Sequence, residues 1–252
     1  MGRSRGKQGR KHVRWRRRKT PRSGELGAEE QSNGVSLIPA LITSDRQPAK
    51  WMKPVAERPV TFRTASVGRP EDVTLYPFYA MHHKRYVVYW DLLTAGQWVE
   101  RETNYRKELE RLKRLEALTI DFVQPGETDV EREHNMQGER TEAGENSGRK
   151  WRHARDGGWL SFDLKVLPDR SMSLVTSYWG SETGPRKFDI LVNGTKIASQ
   201  SLQNDKPGEF FDMTYPIPES LTRGKNKITI RFEAQPANIA GGFYGVRLIR
   251  NE

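Results

Sequence analysis

Strict alternation of apolar and polar residues is the feature that most constrains the fold of this chain. Residues 160–166 place Leu, Phe, Leu and Val at every second position, and residues 228–232 repeat this pattern. An alternation of period two predicts strands that bury one face and expose the other. Residues 188–192 and 195–198 flank Asn193-Gly194, a pair that suits the positive φ angles of a type I′ turn, so a β-hairpin is predicted there.

About seven strands are predicted in the C-terminal half, at the spacing typical of a sandwich. Besides the four segments above, they include residues 174–179, 210–215 and 245–249. We therefore predict a mainly β protein in which residues 121–252 form an antiparallel β-sandwich of the jelly-roll or galactose-binding-like type.

The residues before this sandwich predict a second β-domain and one helix. Short apolar runs at residues 37–42, 60–64 and 86–90 are separated by Gly and Pro, which favours short antiparallel strands with long connections. Residues 94–118 instead space Trp, Tyr and Leu by three, four and seven, the pattern of an amphipathic helix. We expect residues 24–120 to form a partial β-domain that ends in this helix.

The excess positive charge of the chain is confined to its first residues. Residues 1–22 hold 11 of the 43 Lys and Arg residues and none of the 32 Asp and Glu residues, so the rest of the chain is neutral. Such a composition predicts a disordered basic tail. The tail is either an arm for nucleic acid or acidic lipid, or an end without a selected role. The neutral body does not carry the basic stripe that nucleic-acid-binding domains need.

Composition also excludes several classes of chemistry. The chain has no Cys, which excludes disulfides, thiolate metal sites and a Cys nucleophile. Neither a membrane span nor a secretory signal is predicted, because no apolar run is long enough and none follows the basic residues. His82 and His83 are adjacent, so in a strand they would point to opposite faces and could not bind one metal together. We predict no cofactor and no metal site.

A polar stretch at residues 124–149 carries the candidate binding groups. His134, Asn135, Gln137 and Glu139 supply imidazole, amide and carboxylate groups. Such groups suit sugar hydroxyls, which both donate and accept hydrogen bonds. The stretch is interpreted either as a linker or as a functional loop on a rigid scaffold. Its carboxylates also leave open a hydrolase, the least favoured of the functions considered.

Three tryptophans, Trp151, Trp159 and Trp179, lie in or beside the predicted sandwich. Because large aromatic residues in a sandwich usually belong to the core, we expect only one of them to stack on a ligand. Trp179 is the best candidate, since Gly180-Ser181 follows it at a strand end. The predicted substrate-binding surface comprises His134, Asn135, Gln137, Glu139 and Trp179.

Six long motifs follow one another along residues 24–252. They are LYPFYAMHHKRYVVYW (75–90), EREHNMQGERTEAGE (131–145), WRHARDGGWLSFDLKV (151–166), SYWGSETGPRKFDILVNGTKIASQSL (177–202), KPGEFFDMTYPIPESL (206–221) and NIAGGFYGVRLIR (238–250). In this order they resemble the C-terminal β-domains of bacterial β-L-arabinofuranosidases of glycoside hydrolase families 127 and 146. Residues 24–120 are similar to the end of the preceding β-domain, without its first strands.

The resemblance implies a non-catalytic role. In those enzymes a helical barrel with a Cys nucleophile and a zinc site precedes the β-domains, and the last domain is regarded as an accessory, substrate-binding sandwich. This chain has no Cys, so the catalytic residues of those enzymes have no equivalent positions in it. The implied function is an accessory carbohydrate-binding fragment that is not itself an enzyme.

The resemblance also implies partners and a location. The implied ligand is an arabinose-containing oligosaccharide or plant cell-wall glycan, and the implied protein partner is the catalytic barrel of a parent enzyme in the periplasm or outside the cell. No membrane contact is expected. The alternative of another class is a nucleic-acid-binding protein that acts through residues 1–22.

Overall fold

The computed structural model describes residues 37–77, residue 79 and residues 91–252. The chain divides into two compact units, the first ending at Glu110 and the second running from Arg111 to Glu252. No helix among the described residues is both long enough and apolar enough to cross a membrane.

Three sequence predictions fall outside the described residues. They are the basic tail at residues 1–22, the strand at residues 86–90 and the histidine pair His82 and His83. The predicted domain boundary at residues 120 and 121 stays a prediction.

The described part of the first unit contains two three-stranded sheets. Its elements are β1 (Ala40–Ile42), α1 (Pro48–Trp51), β2 (Met52–Pro54), β3 (Phe62–Thr64), β4 (Gly68–Arg69), β5 (Thr74–Leu75) and β6 (Asp91–Leu93). The strand orders are β4-β1-β6 and β2-β3-β5. Strand β1 pairs antiparallel with β4 but parallel with β6, so the antiparallel prediction is wrong for that pair. The long chain between β1 and β6 supplies the crossover that parallel pairing needs.

Helix α2 (Ala95–Leu118) ends where the periodicity predicts. Thr94 caps its first turn: the Gln97 amide donates to Thr94 Oγ1 at 3.2 Å, and the Thr94 amide donates to Gln97 Oε1 at 2.9 Å. This reciprocal arrangement satisfies amides that would otherwise lack partners at the helix start. Trp98 is buried in a small apolar cluster with Ala40, which anchors the first half of the helix.

The second unit is an antiparallel β-sandwich, as predicted. After the end of α2 its elements are β7 (Thr119–Val123), α3 (Thr128–Glu133), β8 (Gln137–Asn146), β9 (Arg149–Lys165), β10 (Met172–Trp179), β11 (Lys187–Val192), β12 (Thr195–Ser201), β13 (Phe210–Ile217), β14 (Lys227–Ala234), β15 (Ile239–Phe243) and β16 (Gly245–Arg250). One sheet has the order β13-β10-β16-β7. The other has the order β12-β11-β14-β9-β15, with β8 also paired to β9.

The alternating residues form the core between the two sheets. Leu160, Phe162 and Leu164 of β9, with Ile230 and Phe232 of β14, have no solvent exposure. Each such side chain stabilises the fold by roughly 1.5–3 kcal/mol relative to an exposed one. The predicted hairpin is confirmed as well, because Asn193 and Gly194 adopt φ angles of 49° and 81° between β11 and β12.

Three strands of the sandwich, β7, β8 and β15, escape prediction from sequence. The prediction of a polar loop before residue 149 is wrong, because α3 and β8 occupy most of that stretch. Among the described strands, β8 pairs only with β9, and most of its side chains face solvent. A strand of this kind needs no apolar alternation, since backbone hydrogen bonds to β9 hold it. Strand β15 is not recognisable in the sequence, because Gly241 and Gly242 have no side chains and so interrupt the alternation of apolar and polar residues.

We expect residues 111–252, produced alone, to fold, because the large core cluster lies within this unit. A cooperative thermal transition in circular dichroism and dispersed amide resonances would verify this expectation. Phe162→Ala in the same fragment should lower the free energy of unfolding by about 3–5 kcal/mol, since it empties a fully buried site. A fragment without a cooperative transition would contradict the assignment of the core.

Candidate functional site

A cleft of about 280 Å³ opens in the second unit, where β10 of one sheet meets β9 and β15 of the other. Trp151, Trp179 and Tyr244 provide its aromatic lining. The remaining lining is polar apart from Gly242, and it comes from Asn146 at the end of β8, His153 of β9, and the segment of residues 181–186 that follows β10. Aromatic and polar groups from separate strands therefore share one concave surface.

Trp179 is held at the cleft by its neighbours on both sides. It is the last residue of β10, and its ring centroid lies 4.7 Å from that of Phe210, which in turn lies 4.8 Å from Tyr244. Only glycine fits at position 180, directly after Trp179, because a Cβ atom there would overlap the carbonyl oxygen of Lys206. The chain thus turns sharply after Trp179, and the half-buried ring stays at the rim.

Trp151 is positioned by a glycine of the paired strand. Gly144 of β8 lies directly opposite Trp151, and a Cβ atom at Gly144 would come within 2.6 Å of the indole ring. The ring therefore occupies the space that a side chain at position 144 would need. On its own strand it neighbours His153, with ring centroids 4.9 Å apart. Trp151 and Trp179 both line the cleft, and how many of the tryptophans stack on a ligand stays a prediction.

Glu182 and Arg186 form an ion pair at the cleft wall. Arg186 Nη2 lies 2.7 Å from Glu182 Oε2, and the two side chains are only 14% and 13% exposed. Arg186 also donates through Nη1 to the carbonyl oxygen of Gly241. Burial raises the pKa of Glu182, while the charge of Arg186 and the amide of Gly242 oppose that rise. The pair is a fixed, desolvated feature of the cleft.

The other titratable groups of the cleft are uncharged at neutral pH. Burial lowers the pKa of His153, and the nearby charge of Arg186 lowers it further, although Glu142, 3.4 Å from its Nε2, opposes both. Burial raises the pKa of Tyr244, so its phenol keeps its proton. Asn146 Nδ2 donates to the Tyr244 hydroxyl at 3.4 Å. The cleft thus offers hydroxyl, amide and imidazole groups that can donate or accept hydrogen bonds.

Of the five predicted site residues, only Trp179 lines this cleft. Gln137 and Glu139 lie at the beginning of β8, whereas Asn146, at its end, reaches the cleft. At about 3.3 Å per residue, Glu139 and Asn146 are about 23 Å apart along the strand. The structure therefore does not bring the four predicted loop residues together with Trp179, and a ligand role for those four stays a prediction.

The imidazole of His134 is tied into the scaffold on both sides. Its Nδ1 lies 2.7 Å from the carbonyl oxygen of Val130, and its Nε2 lies 3.1 Å from Asp121 Oδ1. Asn135 follows in a left-handed conformation, with φ of 50°, and its amide donates to Asp163 at 3.0 Å. These contacts join the end of α3 to β7 and β9. The hydrogen bonds of His134 and Asn135 therefore hold neighbouring elements of the fold together.

Sequence reasoning missed Glu182, Arg186 and Asn146. A signal for the first two was present: they lie four residues apart in the turn that directly follows Trp179, on either side of Gly184-Pro185. Two opposite charges in a short turn next to a half-buried tryptophan indicate that the turn contributes to a site and does not only connect two strands. Asn146 carried no comparable signal, because its place at the cleft depends on the pairing of β8 with β9.

The sequence profile of DUF6805, a family of unknown function, matches residues 114–249, more than half of the chain. The chain therefore belongs to DUF6805. The matched DUF6805 region includes every residue of the cleft. A second profile, DUF4986, a domain of unknown function, matches residues 7–92, so its match begins inside the basic segment. No curated protein matches the chain in sequence.

Several solved structures resemble part of this DUF6805 chain. A family 35 carbohydrate binding module from Clostridium thermocellum is 12% identical, with a TM-score of 0.41 over 52% of this chain and 99% of that one. CBM35 from Paenibacillus barcinonensis is 13% identical, with a TM-score of 0.37 over 52% and 98%. An exo-beta-1,3-galactanase from Phanerochaete chrysosporium is 12% identical, with a TM-score of 0.37 over 50% and 28%. Similarities this low do not carry over a ligand.

A buried ion pair fixes the hairpin of β8 and β9 beside the cleft. Arg152 donates from Nε and Nη2 to the two carboxylate oxygens of Glu131 in α3, at 2.6 and 2.7 Å, and Glu131 is only 5% exposed. We expect Arg152→Leu to lower the free energy of unfolding by about 3–5 kcal/mol, because it leaves a buried carboxylate without its partner. The double change Glu131→Leu and Arg152→Leu should be less destabilising than Arg152→Leu alone. Urea titration measures both, and an additive double variant would refute the coupling.

Asp121 should make the stability of the fold depend on pH. Burial alone would raise its pKa, but the Lys165 amide at 2.7 Å and the His134 ring outweigh burial, so the pKa lies below its usual 3.8. A carboxyl with a lowered pKa in the folded state stabilises the fold above its unfolded pKa, and this contribution is lost as pH falls through the folded value. The free energy of unfolding should therefore fall as the pH drops below about 4.

Asp121→Asn tests this contribution. The variant should be less stable than wild type at pH 7, and the difference should shrink as the pH approaches 3. Asp169→Asn, an exposed residue with the same change of charge, serves as the control and should follow the wild-type profile. A difference between Asp121→Asn and wild type that does not change with pH would disprove the role of the carboxylate.

Proposed function

We propose that the second unit is a non-catalytic carbohydrate-binding module and that its ligand occupies the cleft between Trp151 and Trp179. The observation that carries the proposal is the meeting of two half-buried indole rings with fixed hydrogen-bonding groups in one cleft. A sugar has apolar C–H faces and a rim of hydroxyls, so a site for it needs both kinds of surface. Concave sites of this composition are the usual places for small ligands.

The aromatic groups are suited to stacking because they are held rigidly. Gly144 fixes the ring of Trp151, and Phe210 together with the turn at Gly180 fixes that of Trp179. A ring that is already ordered loses little conformational entropy when a ligand binds. Rigid rings at the rim therefore favour binding more than mobile ones would.

The polar groups are suited to hydroxyls because they differ in chemistry. The Asn146 amide, the neutral His153 ring and the exposed Thr183 hydroxyl each combine donors and acceptors. Neutral partners of this kind match sugar hydroxyls. Among the described residues, no group of three or more His, Asp or Glu side chains is arranged to hold a metal ion.

The finer parts of the proposal rest on the sequence resemblance. We propose that the ligand is an arabinose-containing oligosaccharide or cell-wall glycan. We propose further that the module serves a glycoside hydrolase of the β-L-arabinofuranosidase type, whose catalytic barrel is its partner. The resemblance across residues 24–252 supports this assignment, and the chain itself has no Cys to act as the nucleophile of such an enzyme.

Titration of arabino-oligosaccharides against the full chain tests the proposal. Calorimetry should give a Kd, and amide shifts should map to the cleft. Trp151→Ala and Trp179→Ala should each weaken binding about two- to tenfold, the effect of about 0.5–1.5 kcal/mol expected for one lost aromatic contact. Thermal unfolding of each variant checks that the fold is kept.

Trp159→Ala is the matched control. Trp159 belongs to the same strand as Trp151, but Arg231 covers its ring at 4.0 Å and it does not line the cleft. This variant should bind as wild type does. Equal losses in all three tryptophan variants, or amide shifts confined to other regions, would overturn the assignment of the cleft.

The dependence of affinity on salt concentration distinguishes this proposal from binding of nucleic acid through residues 1–22. Affinity that depends on many Lys and Arg contacts falls steeply as salt rises, whereas stacking and hydrogen bonds to a neutral sugar respond little. We expect the Kd for arabino-oligosaccharide to stay constant between low and high salt. Tight, salt-sensitive binding of DNA or RNA without any glycan binding would favour the alternative.

A further inference from the structure

The charge of the cleft is balanced within its own wall. Of the side chains that line it, only Glu182 and Arg186 are charged at neutral pH, and they neutralise each other at 2.7 Å. The neutral His153 adds no positive charge, because burial and the nearby guanidinium lower its pKa. A ligand that enters the cleft therefore meets no free cation.

Arg186 has little capacity left for a ligand. One of its terminal nitrogens faces Glu182 and the other donates to the Gly241 carbonyl oxygen. Its remaining nitrogen, Nε, is buried and has no hydrogen-bond partner among the described residues, so it is out of reach of a ligand. A ligand carboxylate would have to displace Glu182 to gain this cation.

The neighbouring arginines make contacts outside the lining of the cleft. Arg149 lies over the ring of Phe210, 4.3 Å from its centroid. Arg155 is paired with Glu142. Neither arginine lines the cleft. Among the described residues, no second positive charge therefore lines the cleft to compensate an acidic sugar.

We infer that the cleft selects uncharged sugar units and that Glu182 is the residue that rejects sugar acids. This inference rests on the proposed function, which it refines by naming the class of sugar. A uronate carboxylate would be desolvated beside the Glu182 carboxylate, and like charges brought together at a binding surface weaken binding. A neutral sugar instead needs only hydrogen bonds, which Glu182 can accept without leaving Arg186 and which the Asn146 amide and the Thr183 hydroxyl can also supply.

Glu182 has two effects on selectivity. Its carboxylate neutralises Arg186, and its own negative charge repels an anion. Glu182→Gln removes both effects while it keeps the shape of the side chain and an amide oxygen that can still accept from the guanidinium. The variant should therefore admit sugar acids that wild type excludes.

The experiment compares three probes on the full chain at pH 7.5: arabinotriose, galactotriose and trigalacturonate. The last two differ in the carboxylate at C6. Wild type should bind at least one neutral trisaccharide about tenfold more tightly than trigalacturonate, and Glu182→Gln should reduce that ratio about tenfold. Glu233→Gln makes the same change of net charge outside the cleft, and it should leave the ratio unchanged.

The outcomes separate this inference from the proposed function. Trigalacturonate that binds wild type as tightly as the neutral probes, with amide shifts at the cleft, overturns the inference and leaves the carbohydrate-binding function intact. Binding of none of the probes overturns the proposed function, and the inference with it. Should Glu182→Gln fail to fold, the wild-type ratio still decides, since a ratio near one refutes selection of neutral sugars.

Discussion

Strand β9 is the element on which the rest of the second unit depends. Its backbone pairs with β14 and β15 as well as with β8, so it joins most of one sheet. Its inner side chains, Leu160, Phe162 and Leu164, are fully buried and provide the centre of the core. Its first residues carry Trp151 and His153 to the cleft. Hydrogen bonding along both edges and burial of one face thus fix core and site together.

This dependence explains why the cleft is rigid. Trp151 cannot move without disturbing the pairing of β9 with β8, where Gly144 lies under its ring. Arg152, between the two cleft residues of β9, is locked to the buried Glu131. On the other side, the sharp turn after Trp179 is fixed by close backbone packing at Gly180. Two well-ordered walls leave a gap whose shape is set before any ligand arrives.

The electrostatics of the cleft are set by one ion pair in its wall. A buried pair of opposite charges contributes little net stability, because desolvation offsets most of the attraction. Glu182 and Arg186 nevertheless lie at the wall of the cleft, almost hidden from solvent. In the proposed function, this pair keeps the wall of the cleft neutral, while the hydrogen bond from Arg186 to the Gly241 carbonyl oxygen ties the turn to β15.

The sequence by itself determined the features that depend on nearby residues. The alternation around Phe162 required a half-buried strand, Asn193-Gly194 required a tight turn, and the spacing after Thr94 required a capped helix. Only the tertiary structure decided the rest. Strand β8 exists because its backbone pairs with β9, which its polar residues do not reveal. The cleft exists because three separate parts of the chain, carrying Asn146 and Trp151, Trp179 and Glu182, and Tyr244, meet where two sheets come together. Neither this meeting nor the burial of the ion pair is encoded in any local pattern.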